Sequence, residues 1–383
     1  MTKISNLPRD LLEEIFSKLS KQSLRVVRSI CKTWNKLSKD ESFTNKRLAQ
    51  EATASEREFL VVMIKDFRLY LMSVNLDGIQ NQVIIKSSIK HKGKLINLHD
   101  DSYGQVGITG VCHCSGLLLC IRYDYASLVV WNPYTEQSRR IELISRDGMN
   151  FPWYAIGYET RNSCRKYKVL RYNKYGGYEI YELYSNSWRV LDVKSTIWET
   201  WCHHNGISVK GNSYCYIYQE EPFGGKAREF LFCFDFTTER FGPLMPFPFQ
   251  SNQNCIVTLS TVREEQLAVL CQYWSWDRLR MKIWITNKQI APNDVSWNKL
   301  FLEVDIFLLN PRAGRELDVK NGYFLVDEEK KVAVVFDNSK GKQHTAFIFG
   351  ENGYFRKVDL GKTAHKLHWS PFVCSYIPSS VQI

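Results

Sequence analysis

Short segments rich in β-branched and aromatic residues recur along most of this chain, and their spacing restricts the fold more than any other feature. A strand that ends in a polar or glycine turn and is followed by a short returning strand occurs at Asn75, Asn132, Glu182, Asp235, Thr286 and Gly350. Successive positions are separated by 57, 50, 53, 51 and 64 residues. Propeller blades of the kelch type recur at about 50 residues. The spacing therefore predicts a β-propeller-like array of about six sheets.

The segments between these turns predict a mostly β domain, because no long helical pattern follows residue 58. The predicted strands are Phe59–Ile64, Leu69–Val74, Gly116–Ile121, Leu128–Trp131, Lys168–Tyr172, Tyr178–Leu183, Tyr214–Tyr218, Phe230–Phe236, Leu267–Cys271, Met281–Thr286, Tyr323–Val326, Val332–Phe336 and Ala346–Phe349. Residues 369–379 could supply a closing strand beside the first sheet. A β-sandwich or an irregular β-barrel is the competing architecture.

The first 48 residues follow a different, helical period. One apolar stripe recurs at steps of three and four and consists of Leu11, Leu12, Ile15, Phe16 and Leu19. A second stripe follows a polar break and consists of Leu24, Val27, Ile30, Cys31 and Trp34. Phe43 and Leu48 indicate a last short helix. A unit of about 50 residues seldom buries enough apolar surface to be stable alone, so an exposed stripe predicts a docking surface. The alternative is a helical hairpin that packs on the rest of the chain.

The change of period divides the chain into three parts, as expected for 383 residues. Residues 1–48 form the helical module, residues 49–58 form a linker or helical tail rich in Ala, Glu and Ser, and residues 59–383 form the β domain. The formal charge of +11 is uneven, because residues 1–50 hold eleven Lys or Arg against five acids. This concentration of basic residues predicts an acidic partner, although a solvated basic face would give the same composition.

The amino-terminal residues resemble an F-box. The matching positions are Leu7-Pro8, Leu11, Ile15-Phe16, Leu19, Ser23-Leu24, Val26–Trp34, Leu37 and Glu41-Ser42-Phe43. Ser20 stands where proline is common and Phe16 where leucine is common. The resemblance implies that the helices bind a Skp-type adaptor and, through it, a cullin. The implied contact residues are Leu7, Pro8, Leu11, Ile15, Leu24 and Val27, while Trp34 could cap that interface or brace the helices.

The β domain resembles the F-box-associated domain of large plant F-box families. The matching segments are Cys114–Cys120, Leu128–Pro133, Tyr154–Tyr158, Tyr178–Tyr181, Asn186–Trp188, Phe234–Phe241, Val262–Ala268 and Ser375–Ser379. Together the two resemblances imply a non-catalytic substrate receptor of an SCF-type ubiquitin ligase, in which the β domain presents a target protein. A β-propeller that binds nucleic acid or carbohydrate without a ligase role is the alternative. The basic run at 161–171 and the interleaved aromatic residues favour nucleic acid only weakly.

Motifs that would indicate catalysis or cofactor binding are incomplete. Cys112-His113-Cys114 has metal-ligand residue types but no second closely spaced pair, which favours core cysteines over a zinc site. Adjacent residues of Cys202-His203-His204 face opposite sides of a strand, which disfavours a thiolate–imidazole pair. Gly361-Lys362-Thr363 lacks the earlier glycine of a phosphate-binding loop, because position 356 is Arg356. We therefore expect no catalytic residue, cofactor or metal.

Cysteine use and hydropathy indicate an intracellular protein of the cytoplasm or the nucleus. The chain has eleven cysteines, an odd number, and those in apolar runs, such as Cys120, Cys233, Cys271 and Cys374, are expected to be reduced core residues. The longest apolar stretches, such as Phe59–Ile64, are far shorter than the about 20 residues of a membrane helix. No secretory signal is recognisable after Met1. Tyr273–Arg278 is a candidate recognition loop or, equally, a hairpin packed on its sheet.

Overall fold

A computed structural model gives the architecture of the chain. It describes residues 7–19, 21–38, 40–54, 58–76, 88–94, 107–143, 153–162, 164–173, 177–193, 206–219, 228–249, 255–275, 278–306, 323–337, 343–362 and 372–383.

Four helices form the amino-terminal module. They are α1 (Arg9–Ser17), α2 (Lys21–Ile30), α3 (Lys32–Ser38) and α4 (Glu41–Ala54). Asp40 caps α4, because its Oδ1 accepts a hydrogen bond of 3.1 Å from the Ser42 amide. α4 is longer than the short helix that the sequence indicates at Phe43 and Leu48, since the Ala, Gln and Glu residues after Leu48 are good helix formers. The buried core of the module consists of Leu12, Phe16, Leu24, Leu37 and Phe43.

The rest of the chain forms six antiparallel sheets. Blade 1 contains β1 (Glu58–Lys65), β2 (Arg68–Asn75) and β3 (Ser88–Lys94). Blade 2 contains β4 (Ile108–Cys114), β5 (Leu117–Arg122), β6 (Ser127–Asn132) and β7 (Gln137–Glu142). Blade 3 contains β8 (Trp153–Arg161), β9 (Cys164–Asn173), β10 (Gly177–Glu182) and β11 (Ser187–Leu191).

The remaining blades follow the same order. Blade 4 contains β12 (Ile207–Val209), β13 (Asn212–Gln219), β14 (Arg228–Asp235), β15 (Arg240–Phe241) and β16 (Met245–Pro246). Blade 5 contains β17 (Cys255–Val262), β18 (Gln266–Ser275), β19 (Arg278–Thr286) and β20 (Trp297–Asp305). Blade 6 contains β21 (Tyr323–Asp327), β22 (Val332–Phe336), β23 (Gln343–Gly350) and β24 (Phe355–Lys362). The prediction of a helical module followed by a six-sheet propeller is confirmed.

The hydrophobic core is a ring of clusters between successive blades. In β5, Leu118 and Cys120 pack towards blade 1, whereas Leu117, Leu119 and Ile121 pack towards blade 3. Successive side chains of a strand point to opposite faces of its sheet, and both faces of this blade are covered. That is why β5 is buried at all of its positions and reads as an unbroken apolar run in the sequence.

The six turn positions found in the sequence occupy equivalent places in the six blades. Each ends the third strand of its blade, counted outwards from the axis, namely β2, β6, β10, β14, β19 and β23. In two blades the reason is visible, because Asn132 Oδ1 and Asp235 Oδ1 each accept a hydrogen bond from the amide two residues later, at 2.9 and 2.8 Å. Such side-chain hydrogen bonds stabilise turns, which accounts for Asn132 and Asp235 at these two positions.

A strand from the end of the chain closes the ring. β25 (Phe372–Tyr376) pairs antiparallel with β1 as the innermost strand of blade 1, with Cys374 opposite Val62. The closing strand expected near the carboxy terminus is thereby confirmed, and it pairs an edge that would otherwise be open. The following residues 377–383 lie along blade 2, where Asn132 Nδ2 donates to the Ser379 and Val381 carbonyls at 3.0 and 2.7 Å.

One expectation about the cysteines needs correction. Cys271 on β18 is bonded through its sulfur to Cys255 on the neighbouring β17, so it is not the reduced core residue that its apolar surroundings predict. The two Cα atoms are 6.2 Å apart, a cross-strand proximity that a one-dimensional pattern cannot reveal. Cys120, Cys233 and Cys374 are free and buried, as expected.

Candidate functional site

Among its described residues, the helical module exposes four large apolar side chains in spite of its packed core. Leu11 and Ile15 on α1 are 47% and 44% exposed, and Val26 and Ile30 on α2 are both 60% exposed. Residues four apart share one face of a helix, so each helix presents a pair. We call these four residues the apolar surface. Val26 and Ile30 are absent from the predicted contact set, although their spacing of four residues signals a common face.

The residues predicted to contact a partner fall into two groups. Leu11 and Ile15 belong to the apolar surface, Pro8 is also exposed, and Leu7 and Val27 are half-buried at the edge of the module's core. Leu24 and Trp34 form the second group, in which the side chains serve the packing of the helices. Leu24 is only 2% exposed, and the Trp34 ring packs edge-on against Phe16 with ring centroids 5.5 Å apart.

The positive charge of the module is available to a partner because several of its acidic residues are already paired. Arg9 lies 2.8 Å from Glu13 and 3.1 Å from Asp40. The hydrogen bond from Lys18 to Glu14, at 2.9 Å, holds the pKa of that carboxyl below its ordinary value. The other basic residues of the module include Lys32 and Lys36, which are exposed. The apolar surface therefore lies on a basic module.

The helical module contacts the propeller at blade 2 and at the last residues of the chain. Arg28 Nη1 lies 3.3 Å from Glu136 Oε2 in the turn between β6 and β7. Arg28 also donates to Ser38 Oγ at 3.1 Å, which fixes its guanidinium between α3 and the propeller. Ser380 donates a hydrogen bond to Asn45 on α4. The junction is thus polar and leaves the Leu11 and Ile15 side chains exposed.

The Cys112-His113-Cys114 motif lies at the propeller axis, where His113 makes hydrogen bonds to other blades and turns. Its Nδ1 lies 3.0 Å from Glu264 Oε1, and its Nε2 accepts a hydrogen bond of 3.0 Å from the Gly116 amide. Burial lowers the pKa of His113, against the opposing effect of the Glu264 carboxylate. Burial also raises the pKa of Cys114 to about 12, so this thiol is neutral. Among the described residues no group of His, Cys, Asp or Glu is placed to hold a metal ion.

The propeller axis has little empty space. Its cavity of about 70 Å³ is lined by residues of the inner strands of five blades, including His113, Ser208, Thr258, Tyr323 and Cys374. This volume accommodates only a few water molecules. Around this cavity the described residues of the axis are closely packed.

The basic run at 161–171 does not form one basic surface. Lys168 lies buried between two carboxylates, 2.8 Å from Glu159 and 2.7 Å from Glu239. Arg171 lies 3.1 Å from a carboxylate on the neighbouring strand. Paired and buried cations cannot neutralise a phosphate backbone, so Lys168 and Arg171 do not support nucleic-acid binding. Arg161, Arg165 and Lys166 of the same run are exposed.

Two other sequence motifs have ordinary structural roles or lie outside the described residues. Gly361 and Lys362 lie in β24 and not in a loop, whereas Thr363 lies outside the described residues. Residues 202–204 and residues 276–277 of the candidate recognition loop lie outside the described residues. At the start of that loop, the half-buried Tyr273 ring lies 5.8 Å from Lys282 Nζ.

Comparison with known families agrees with this architecture in both parts of the chain. Residues 4–46 match the F-box domain family. Residues 60–383 match the family described as the F-box associated beta propeller domain. The chain is an F-box protein.

Relatives of this F-box protein from Arabidopsis thaliana are similar over their full length. An F-box protein is 43% identical over 422 residues, which cover 100% of both chains. An F-box/kelch-repeat protein is 44% identical over 411 residues, again covering 100% of both. Among solved structures, a six-bladed fungal lectin from Aleuria aurantia aligns with 82% of this chain and 100% of its own, at 13% identity and a TM-score of 0.39.

The two matched families describe an F-box and a propeller, and neither description names an enzyme. Within the described part of this F-box protein, no helix is both long and apolar enough to cross a membrane.

Proposed function

We propose that this F-box protein is the substrate-receptor subunit of an SCF-type ubiquitin ligase complex. Its F-box binds a Skp-type adaptor, which connects it to a cullin, and its propeller binds a target protein. The observation that carries the proposal is the apolar surface, because Leu11 and Ile15 remain 47% and 44% exposed on a module that buries its other α1 apolar residues, Leu12 and Phe16. An apolar patch of this kind indicates a protein interface.

The proposed adaptor contacts are the exposed and half-buried members of the predicted set, namely Leu7, Pro8, Leu11, Ile15 and Val27, with Val26 and Ile30 extending them along α2. Leu24 and Trp34 hold the helices in position beneath them. The basic excess of the module favours an acidic adaptor, since complementary charge accelerates encounter while apolar burial determines how long the complex lasts.

In this role the chain makes and breaks no covalent bond. It holds a target lysine near a ubiquitin-conjugating enzyme, and tethering of this kind raises the effective concentration of the two reactants. No catalytic residue, cofactor or metal is part of the proposal. A rigid propeller attached to the F-box through Arg28 and Asn45 suits this task, because it limits the orientations that a bound target can adopt.

The proposal assigns the adaptor to residues 1–48 and the target to residues 59–383, with residues 49–58 connecting them. It places the protein inside the cell, in the cytoplasm, the nucleus or both. The blade spacing of about 50 residues, together with relatives named for kelch repeats, also supports a kelch-like character for the blades.

The decisive test is size-exclusion co-migration of the purified full-length chain with a Skp-type adaptor. The wild type is expected to co-migrate at 1:1 stoichiometry, and the double variant Leu11→Asp with Ile15→Asp is expected to elute separately. Both side chains lie on the module's surface, so the variant should keep the circular dichroism spectrum and melting temperature of the wild type.

A control is Leu244→Asp, which makes one such apolar-to-acidic change at a residue that is 38% exposed on the propeller. This variant should co-migrate like the wild type. Absence of a complex with folded wild type would contradict the receptor role and favour a β-propeller that binds nucleic acid or carbohydrate. Loss of the complex in both variants would show that the effect is not specific to the F-box.

A further inference from the structure

A polar pocket opens between blades 3 and 4, at the ends of the hairpins. Its volume is about 500 Å³, and its lining includes Glu159, Arg161, Lys166, Tyr184, Arg189 and Glu239. Ligand sites commonly have volumes of about 300–1,000 Å³, but most are lined by apolar side chains. A charged lining is more suitable for a charged peptide than for an apolar small molecule. We call it the blade 3–4 pocket.

The blade 3–4 pocket lies on the same face of the propeller as the F-box. Arg28 of the F-box pairs with Glu136 in the turn that follows β6. A few residues later, Arg139 donates a hydrogen bond to the Leu183 carbonyl, in the turn that follows β10. Tyr184 in that same turn lines the pocket. A segment bound there would therefore be next to the blade that carries the F-box.

The carboxylates at the floor of the pocket are paired with basic side chains that also line it. The Lys168 side chain, 6% exposed, lies 2.8 Å from Glu159 and 2.7 Å from Glu239. Arg189 donates to Glu182 at 3.2 Å and also to Glu239. Burial acts to raise the pKa of Glu239, but the hydrogen bonds from Arg189 and Lys168 outweigh it and keep that pKa below its ordinary value. These carboxylates already have cationic partners, so a cationic ligand would have to displace them.

The rim of the pocket, in contrast, carries exposed basic side chains. The Arg161 side chain is 68% exposed and lies 3.4 Å from the Glu159 carboxylate. Lys166 is exposed and extends over the ring of Tyr184, with its Nζ 5.5 Å from the ring centroid. Tyr184 is itself 85% exposed. A cation held over an exposed aromatic ring offers a charge and an apolar contact side by side.

We infer that the blade 3–4 pocket recognises an acidic peptide segment of the target protein. A carboxylate of the segment lies between Arg161 and Lys166, and an adjacent apolar side chain packs on Tyr184. The inference rests on the proposed receptor function and adds the chemistry of the recognised segment. Charge supports it, since the pocket's four basic residues exceed its three acidic ones and the excess lies at the rim.

The test measures peptide binding by the purified full-length chain without an adaptor. The probes are three pools of fluorescein-labelled octapeptides with randomised flanks and a fixed centre of Glu-Leu, Gln-Leu or Lys-Leu. Fluorescence anisotropy should show at least tenfold tighter binding of the Glu-Leu pool, and this preference should decrease with added salt because exposed charges are screened. The double variant Arg161→Glu with Lys166→Glu should lose the preference, and Tyr184→Ala should weaken Glu-Leu binding about tenfold.

A matched control is the double variant Arg263→Glu with Lys288→Glu, which makes the same change in net charge at exposed residues of blade 5. It should bind the Glu-Leu pool like the wild type. Equal binding of the three pools, or a preference that persists after charge reversal of the pocket, would overturn the inference. So would binding of a homopolymeric RNA that the pocket variant abolishes. Because adaptor binding uses Leu11 and Ile15, these results are independent of the co-migration test, whose failure would refute the receptor role itself.

Discussion

Glu264 reaches across the propeller axis and accepts a hydrogen bond from His113, with 3.0 Å between Oε1 and Nδ1. The two residues belong to blades 5 and 2, which lie on opposite sides of the ring. The same Oε1 accepts a bond of 2.8 Å from the Ser115 amide. On its other side, His113 Nε2 accepts from the Gly116 amide and, at 3.5 Å, from the Ile377 amide just after the closing strand. One buried imidazole thus connects blade 2, blade 5 and the closure of the ring.

Removal of the Glu264 carboxylate should destabilise the propeller. Glu264→Ala leaves the Ser115 amide and the His113 Nδ1–H without their acceptor, and each unsatisfied buried donor costs about 1–3 kcal/mol. We expect a decrease of roughly 2–4 kcal/mol in the unfolding free energy, measured by urea denaturation. The exposed neighbour provides the control, because Glu265→Ala should change stability by less than about 0.5 kcal/mol. Equal stability of the two variants would contradict the role assigned to the carboxylate.

The stability of the propeller should decrease on mild acidification because of His113. Its pKa is lowered in the folded state by burial, with Glu264 opposing this effect, whereas in the unfolded chain it is close to 6.5. The unfolded state therefore binds more protons between these two values, and stability is lost as pH falls below about 6.5. Denaturation of wild type and His113→Gln at pH 7.5 and 5.5 measures the effect. The wild type should lose more stability, whereas equal losses would contradict the prediction.

Gly116 should tolerate substitution far less well than Gly177. Both have positive φ, +83° and +77°, so alanine is strained at either position by about 1–2 kcal/mol. A Cβ at Gly116 would lie 2.1 Å from Ser379 Oγ and 2.7 Å from its amide, whereas a Cβ at Gly177 meets nothing within 4 Å. Thermal denaturation should therefore show a larger decrease in melting temperature for Gly116→Ala. Equal decreases would indicate that backbone strain alone matters and that Ser379 moves freely.

Two leucines of the F-box should respond differently to truncation. Leu24 is 2% exposed, so Leu24→Ala removes core packing and should cost about 2–5 kcal/mol. Leu11 is 47% exposed, so Leu11→Ala should change stability by less than about 0.5 kcal/mol. Hydrogen exchange of residues 7–54 reports on the module directly. Faster exchange in Leu24→Ala alone would agree with the assignment of core and surface, whereas the reverse order would contradict it.

Much of the architecture is predictable from the sequence because it depends on local spacing. All thirteen predicted strand segments coincide with strands of the propeller, apart from end residues such as Gly116, Leu183 and Phe236. The six turn positions coincide with the ends of equivalent strands, since a turn imposes its residue preference within two or three positions of the chain. Short strands such as β12 and polar outer strands such as β7 were missed, because neither has a long apolar run.

The candidate sites were less predictable, because they depend on which face of an element is covered. The helical period places Leu24, Val26 and Ile30 on α2, but only the packing of the module's core decides that Leu24 is buried while the other two are exposed. The blade 3–4 pocket likewise combines residues from β8, β9, β10, β11 and the turn after β14. Lys168 and Glu239, 71 positions apart, meet there at 2.7 Å.

The sequence by itself determined the two families, the helical and the β periods, the number of blades and the residues at the turns between their strands. Each of these depends on residues near one another in the chain. The tertiary structure alone decided which apolar residues remain exposed, how His113 meets Glu264, 151 positions away, and where charged residues of neighbouring blades enclose a pocket. Those features depend on contacts between distant segments, which exist only once the ring is closed.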